Sequence, residues 1–134
     1  MIGSGYYDRR QTMAGQFDVN IVDLQIGAFS GATEIPLVQI PASGGGVTVI
    51  QAHLMAGAGT AIGGKLVTMS NAGTPVLNGT IGAFGGTVVT VAGVPAPLTI
   101  SGAFVAGGYW IGFDQTSGTV PAGAHVALAY VMGK

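Results

Sequence analysis

Along most of the chain, apolar side chains alternate with polar or small ones in short runs, and glycine, proline, asparagine or serine closes each run. That period of two belongs to β-strands, whose successive side chains point to opposite faces. The pattern is cleanest in AHVALAYVM (Ala124–Met132), where His125, Ala127, Ala129 and Val131 face one way and Val126, Leu128 and Tyr130 the other. Before it stand the apolar run PLTISGAFVAGGYWIGFDQ (Pro97–Gln115) and the turn sequence TSGTVPAG (Thr116–Gly123). The two runs predict a pair of strands that pins a sheet core. Trp110 is expected in that core, between sheets, where truncation to alanine costs roughly 3–5 kcal/mol.

Upstream, Phe17, Val19 and Ile21 alternate with Asp18 and Asn20, after which the apolar phase moves to Val22, Leu24 and Ile26, leaving Asp18 and Asp23 outward. A change of phase inside one run predicts a bulge or a strand that switches sheets. EIPLVQI (Glu34–Ile40) reads as an edge strand because Pro36 cannot donate to a ladder. PASGGG (Pro41–Gly46) is then a loop, VTVIQAHLM (Val47–Met55) a strand, AGAGTAIGG (Ala56–Gly64) a glycine-rich loop, and Lys65–Met69 a strand. SNAGTP (Ser70–Pro75) is a turn, followed by Val76–Phe84 and Thr87–Val91. The Asn78-Gly79 step is the preferred two-residue hairpin turn. No segment sustains a helical period. About eight or nine strands with closely spaced turn signals predict an all-β fold, a jelly-roll-like sandwich of about eight strands.

Residues 1–16 differ in texture and predict an extended N-terminal arm, with the sandwich domain over 17–134. Tyr6, Tyr7, Asp8, Arg9 and Arg10 cluster there and are the candidate partner-contact residues. Tyrosine offers broad contact area at low entropic cost, and arginine binds carboxylates bidentately. The start lacks the apolar stretch of a signal peptide, so secretion by that route is not expected.

Composition sharpens the picture. Only 7% of the 134 residues are charged, against about 25% in ordinary soluble domains. Spread over the roughly 6,400 Å² that a folded chain of this mass exposes, so few charges predict a surface partly covered by other copies, a homo-oligomer and most simply a trimer. The four basic residues, Arg9, Arg10, Lys65 and Lys134, are too few and too scattered to neutralise a nucleic-acid backbone. Cysteine is absent, which removes disulfides and thiolate metal sites. Glycine, proline, asparagine and threonine interrupt every apolar stretch before it reaches the length of a spanning helix, and no membrane partner is expected.

Motifs that suggest chemistry have simpler readings. GTAIGGKL (Gly59–Leu66) matches G-x-x-x-x-G-K, but Leu66 stands where magnesium binding needs a hydroxyl, and a strand pattern follows instead of a helix. Asn78-Gly79-Thr80 is a formal glycosylation sequon, for which the turn reading is preferred. His53 and His125 have no ligand-spaced partner, and Asp18, Asp23, Glu34 and Asp114 are scattered. No nucleophile elbow occurs. No cofactor and no catalytic residue are expected, and the protein reads as non-enzymatic.

The stretch GYWIGFDQTSGTVPAGAHVALAYVMG (Gly108–Gly133) resembles the closing strands of phage virion proteins of jelly-roll type, namely capsid decoration (cement) proteins and minor head proteins such as head-fibre bases. The resemblance covers about the C-terminal two-thirds of the chain and rests on texture: glycine-punctuated strands, an aromatic strand, a G-T-x-P-A-G turn and an apolar final strand. It implies a structural protein on the capsid surface of a bacteriophage, commonly trimeric, that clamps neighbouring copies of the major capsid protein, with residues 2–11 in the place of the gripping arm. The alternative is a receptor- or glycan-binding module of a phage fibre or tail, which requires an exposed Tyr109 or Trp110 beside Asp114. A cupin-like enzyme would need a set of metal-binding histidines and carboxylates that the sequence does not supply.

Overall fold

Eleven strands, all paired antiparallel, make up the regular structure of residues 19–26, 29–30, 33–70 and 77–133, which the computed structural model describes. They are β1 (Asn20–Gln25), β2 (Phe29–Ser30), β3 (Thr33–Gln39), β4 (Val47–Met55), β5 (Ala61–Met69), β6 (Leu77–Ala83), β7 (Val88–Val89), β8 (Ala96–Ile100), β9 (Phe104–Val105), β10 (Trp110–Val120) and β11 (His125–Met132). No helix occurs among the described residues. Three two-residue strands are fringes: β2 on β10, β7 on β5 and β9 on β4. The eight longer strands form two layers, β1-β11-β4-β8 and β3-β10-β5-β6.

Pairing is nested. The first long strand pairs with the last (β1 with β11), the second with the last but one (β3 with β10), then β4 with β8 and β5 with β6. A chain folded back on itself in this way and rolled into two sheets is a jelly roll. Short pairing of β6 with β8 joins the sheets on one side, and β1 approaches β3 on the other, so the sandwich is almost closed.

The core follows from the alternation. Leu24, Val49, Ala52, Leu54 and Leu98, with Val126 and Leu128 of β11, face Ile62, Leu66, Ile81, Ile111 and Phe113 across the two layers. Phe113, fully buried, is the largest of them. Its ring lies over Gly64, where a β-carbon would stand 2.5 Å from Phe113 Cζ. This explains why AIGG, expected as loop, is the first half of β5: glycine there makes room for the ring.

Other expectations need correction. The phase of β1 does not change: Asn20–Gln25 pairs without a break with Tyr130–His125, Val22 and Leu24 point inward, and Val19 and Ile21 are apolar residues on the outer face. Asn78 and Gly79 lie inside β6, where Asn78 Nδ2 donates to Thr68 Oγ1 at 3.3 Å and Gly79 pairs with Thr68. The run Pro97–Gln115 divides among β8, β9 and β10, while Thr87–Val91 shrinks to β7 and a bridge from Val91 to Val94. Strand β10 continues to Val120, and the turn after it carries the chain to the opposite sheet, so β10 and β11 are not partners. Pro36 does lie on an edge strand, since β3 pairs with β10 alone. The proposed arm at 1–16, with Tyr6, Tyr7, Asp8, Arg9 and Arg10, and the turn at 71–75 lie outside the described residues.

Candidate functional site

The first sheet presents an outer face with little charge. Ile21 sits beside Ala129, which sits beside Gln51, and in the next row Asp23, Ala127 and His53 are neighbours across the same three strands. Ile21 is 76% exposed, Val19 56% and Ile50 44%, so aliphatic ridges flank a floor of two alanines. At one end of this face His125 Nε2 lies 4.0 Å from Asp23 Oδ1, and its Nδ1 lies 3.2 Å from the Gly123 carbonyl. The contact with Gly123 ties the imidazole to the turn that precedes β11.

A second feature opens between the layers at the end where β1 begins. It is an apolar cleft of about 270 Å³, walled by Val22 and Leu24 of β1, Val38 and Ile40 at the end of β3, and Tyr130 and Met132 at the end of β11. Two side chains on its lining carry polar groups, Gln39 and Tyr130, and Gln39 Nε2 donates to the Gly108 carbonyl at 3.0 Å.

No protein-family model, curated protein or solved structure matches the chain. Function has to be read from the surfaces themselves.

On the second sheet, β10 turns Ile111 and Phe113 into the core, and Trp110 with Asp114 therefore points outward. Trp110 is half-buried and stands opposite Gln39 and Met69, outside the between-sheet cluster where the sequence pattern put it. A two-residue period fixes one face only once the register is known, and Phe113, not Trp110, took the inward phase. Tyr109, just before the strand, packs against the core. The acids that looked scattered come together in part: Glu34, Asp114 and Lys65 occupy one row across β3, β10 and β5. His53 stands on the first sheet, away from that row. Among the described residues no group of three or more histidine, cysteine or acidic side chains is placed to hold a metal ion.

The segment that resembles a phosphate loop is clamped by Thr90. Its buried Oγ1 accepts from Thr60 N at 3.1 Å and shares its proton between the carbonyls of Ala58, at 3.0 Å, and Thr60, at 3.2 Å. Ala61 then begins β5, so the glycines before Lys65 pair in a sheet and do not cap a helix. Sequence reasoning missed both the cleft and the outer apolar face. The signal for the second was present in Val19 and Ile21, which carried hydrophobicity on the wrong phase of β1.

Proposed function

We propose that this protein is a non-enzymatic structural component of a phage virion that binds the outer capsid lattice and stabilises it, working as a homo-oligomer, in the first instance a trimer. The observation that carries this reading is the outer face of the first sheet, where Ile21 is 76% exposed next to Ala127 and Ala129. An apolar sheet face of this kind is a contact surface when the rest of the chain has so few charges to keep it apart from its neighbours. The major capsid protein is the second partner, and Tyr6, Tyr7, Asp8, Arg9 and Arg10 are the candidates for gripping it. Native mass spectrometry and co-sedimentation with undecorated particles test the two halves of the reading. Ile21→Lys should shift the protein to smaller species, and deletion of residues 1–12 should abolish particle binding while circular dichroism keeps its β signal. A monodisperse wild-type monomer that also fails to sediment with particles would refute the proposal.

A second reading, a glycan-binding module of a fibre or tail, is favoured by the outward placement of Trp110 on the same face as Asp114. Aromatic rings stack on sugar faces and carboxylates accept from sugar hydroxyls. A glycan array probed with wild type and Trp110→Ala decides it: binding that requires Trp110 supports the module.

A further inference from the structure

Glycine at position 63 leaves the outer face of β5 without a side chain at a point where its neighbours carry hydroxyls. Ser117 pairs with Gly63 from β10, and Thr87 precedes β7 on the other side of β5. A β-carbon on Gly63 would lie closest to Ser117 Oγ, 3.1 Å from Thr116 Oγ1 and 3.4 Å from Thr87 Oγ1. Thr87 Oγ1 is itself 3.4 Å from Ser117 Oγ. In the next row Glu34, Asp114, Lys65 and Ala83 follow one another across β3, β10, β5 and β6. Beside these rows is a pocket of about 310 Å³, whose lining includes Gly63, Lys65, Ala83, Phe84, Thr87 and Thr116. Its volume is at the small end of the about 300–1,000 Å³ range of ligand sites, a size for one small ring.

Hydroxyls donate and accept, the Lys65 ammonium only donates, and the Asp114 carboxylate only accepts. Such a set matches a ligand that presents several hydroxyls of its own, and Ala83 with Phe84 adds an apolar patch for its C–H groups. An oxyanion fits less well. Glu34 and Asp114 set two negative charges in the row against the one positive charge of Lys65. Moreover, β5 pairs with β10 on one side and with β6 and β7 on the other, so its amides are directed into ladders instead of gathered into an anion-binding concavity. Among the described residues Lys65 has no carboxylate within ion-pair distance, which leaves its donors for a ligand. We infer that this pocket holds one ring of an uncharged sugar, with Lys65, Thr87 and Thr116 bonding its hydroxyls and Gly63 leaving the space for it. The inference rests on the glycan reading and gives it a site apart from Trp110. That side chain stands four residues before Asp114 on β10, about 13 Å away at the strand rise, too far to stack on the same ring.

The test is a titration of the isotope-labelled full-length protein, followed by amide correlation spectra, with glucose, galactose, mannose and N-acetylglucosamine, and separately with glycerol and inorganic phosphate. At least one sugar should give saturable shifts at the Gly63, Gly86 and Thr87 amides with a Kd of about 1–10 mM, while glycerol and phosphate do not saturate. Gly63→Ala sets a methyl against the Ser117 hydroxyl and should weaken binding at least about tenfold. Thr87→Val keeps the shape, loses the hydroxyl, and should weaken it about three- to tenfold. Lys65→Met joins Thr87→Val as the decisive pair if Gly63→Ala loses its β-sheet signal. No saturable shift with any of the four sugars, or shifts indifferent to these variants, would overturn the inference. Saturation by phosphate at a lower concentration than by any sugar would overturn it as well and make the pocket an anion site. On the glycan array, binding that requires Trp110 but survives Gly63→Ala would leave the glycan reading standing and overturn this pocket. Saturable shifts at the pocket in a protein whose array binding ignores Trp110→Ala would support the pocket and count against Trp110.

Discussion

The contact between Phe113 and Gly64 can be tested with a double-mutant cycle that depends on one geometric fact. Phe113→Ala removes a fully buried ring from the centre of the sandwich. The lost transfer energy plus the cavity should cost about 3–5 kcal/mol, a large part of the about 5–15 kcal/mol that holds a domain folded. Gly64→Ala acts in the opposite sense. Its new methyl would stand 2.5 Å from Phe113 Cζ, 2.9 Å from Cε2 and 3.1 Å from the Asp114 carbonyl, so the ring must move. Overpacking of this kind costs about 1–3 kcal/mol. Placed together, the methyl enters the space the ring has left, and only the crowding against the Asp114 carbonyl survives. The double variant should therefore be more stable than the sum of the single effects implies, by about 1–2 kcal/mol. Urea melts followed by circular dichroism are the assay, and Phe113→Ala alone should lower the midpoint by about 2 M. Additivity within about 0.5 kcal/mol would show that the ring does not lie over Gly64, and the register of β5 against β10 would be wrong.

Trp110→Ala should keep the fold and lower the melting temperature less than Phe113→Ala, since no enclosed cavity forms, and acrylamide should quench the native fluorescence of this lone tryptophan. Thr90→Val keeps the shape but leaves Thr60 N–H and the Ala58 carbonyl without their partner. It should cost about 1–3 kcal/mol, with faster amide exchange at Thr60 as the local readout. Gly118→Ala and Gly93→Ala both force a side chain onto positive φ, at +82° and +73°, but only the first also drives a methyl into the Ala61 carbonyl. Thermal melts should show a loss of about 1 kcal/mol for Gly93→Ala and at least about 3 kcal/mol for Gly118→Ala.

How far the sequence foretold this structure depended on what each signal measures. The alternation in Val47–Met55 and Ala124–Met132 reports which side chains share a face, and both strands appear with the predicted bounds or close to them. Strand count and turn spacing were enough for the jelly roll. Pairing was harder to read, because TSGTVPAG looks the same whether the chain reverses within a sheet or crosses to the other layer. Glycine misled twice: at Gly63-Gly64 and at Asn78-Gly79 local propensity favours loop or turn, and a ring or a neighbouring strand overrode it. The cleft joins residues from β1, β3 and β11, far apart in the chain, and no local pattern encodes it. The arm residues, chosen from composition alone, lie outside the described residues.

The nested pairing has a kinetic consequence. Strand β11, the last to be synthesised, lies between β1 and β4 in the first sheet, and β10 lies between β3 and β5 in the second. Neither β1 nor β3 can join its layer before that neighbour is made, so β1 waits for a partner about a hundred residues downstream and β3 for one about 75 residues downstream. Folding is then slow, as expected for a topology of long-range contacts. During that wait Val19, Ile21, Val22 and Leu24 are uncovered together. An unpaired apolar strand of this kind can recruit the wrong chain, and chaperone dependence at high expression should follow from the order of the strands rather than from weakness of the finished fold.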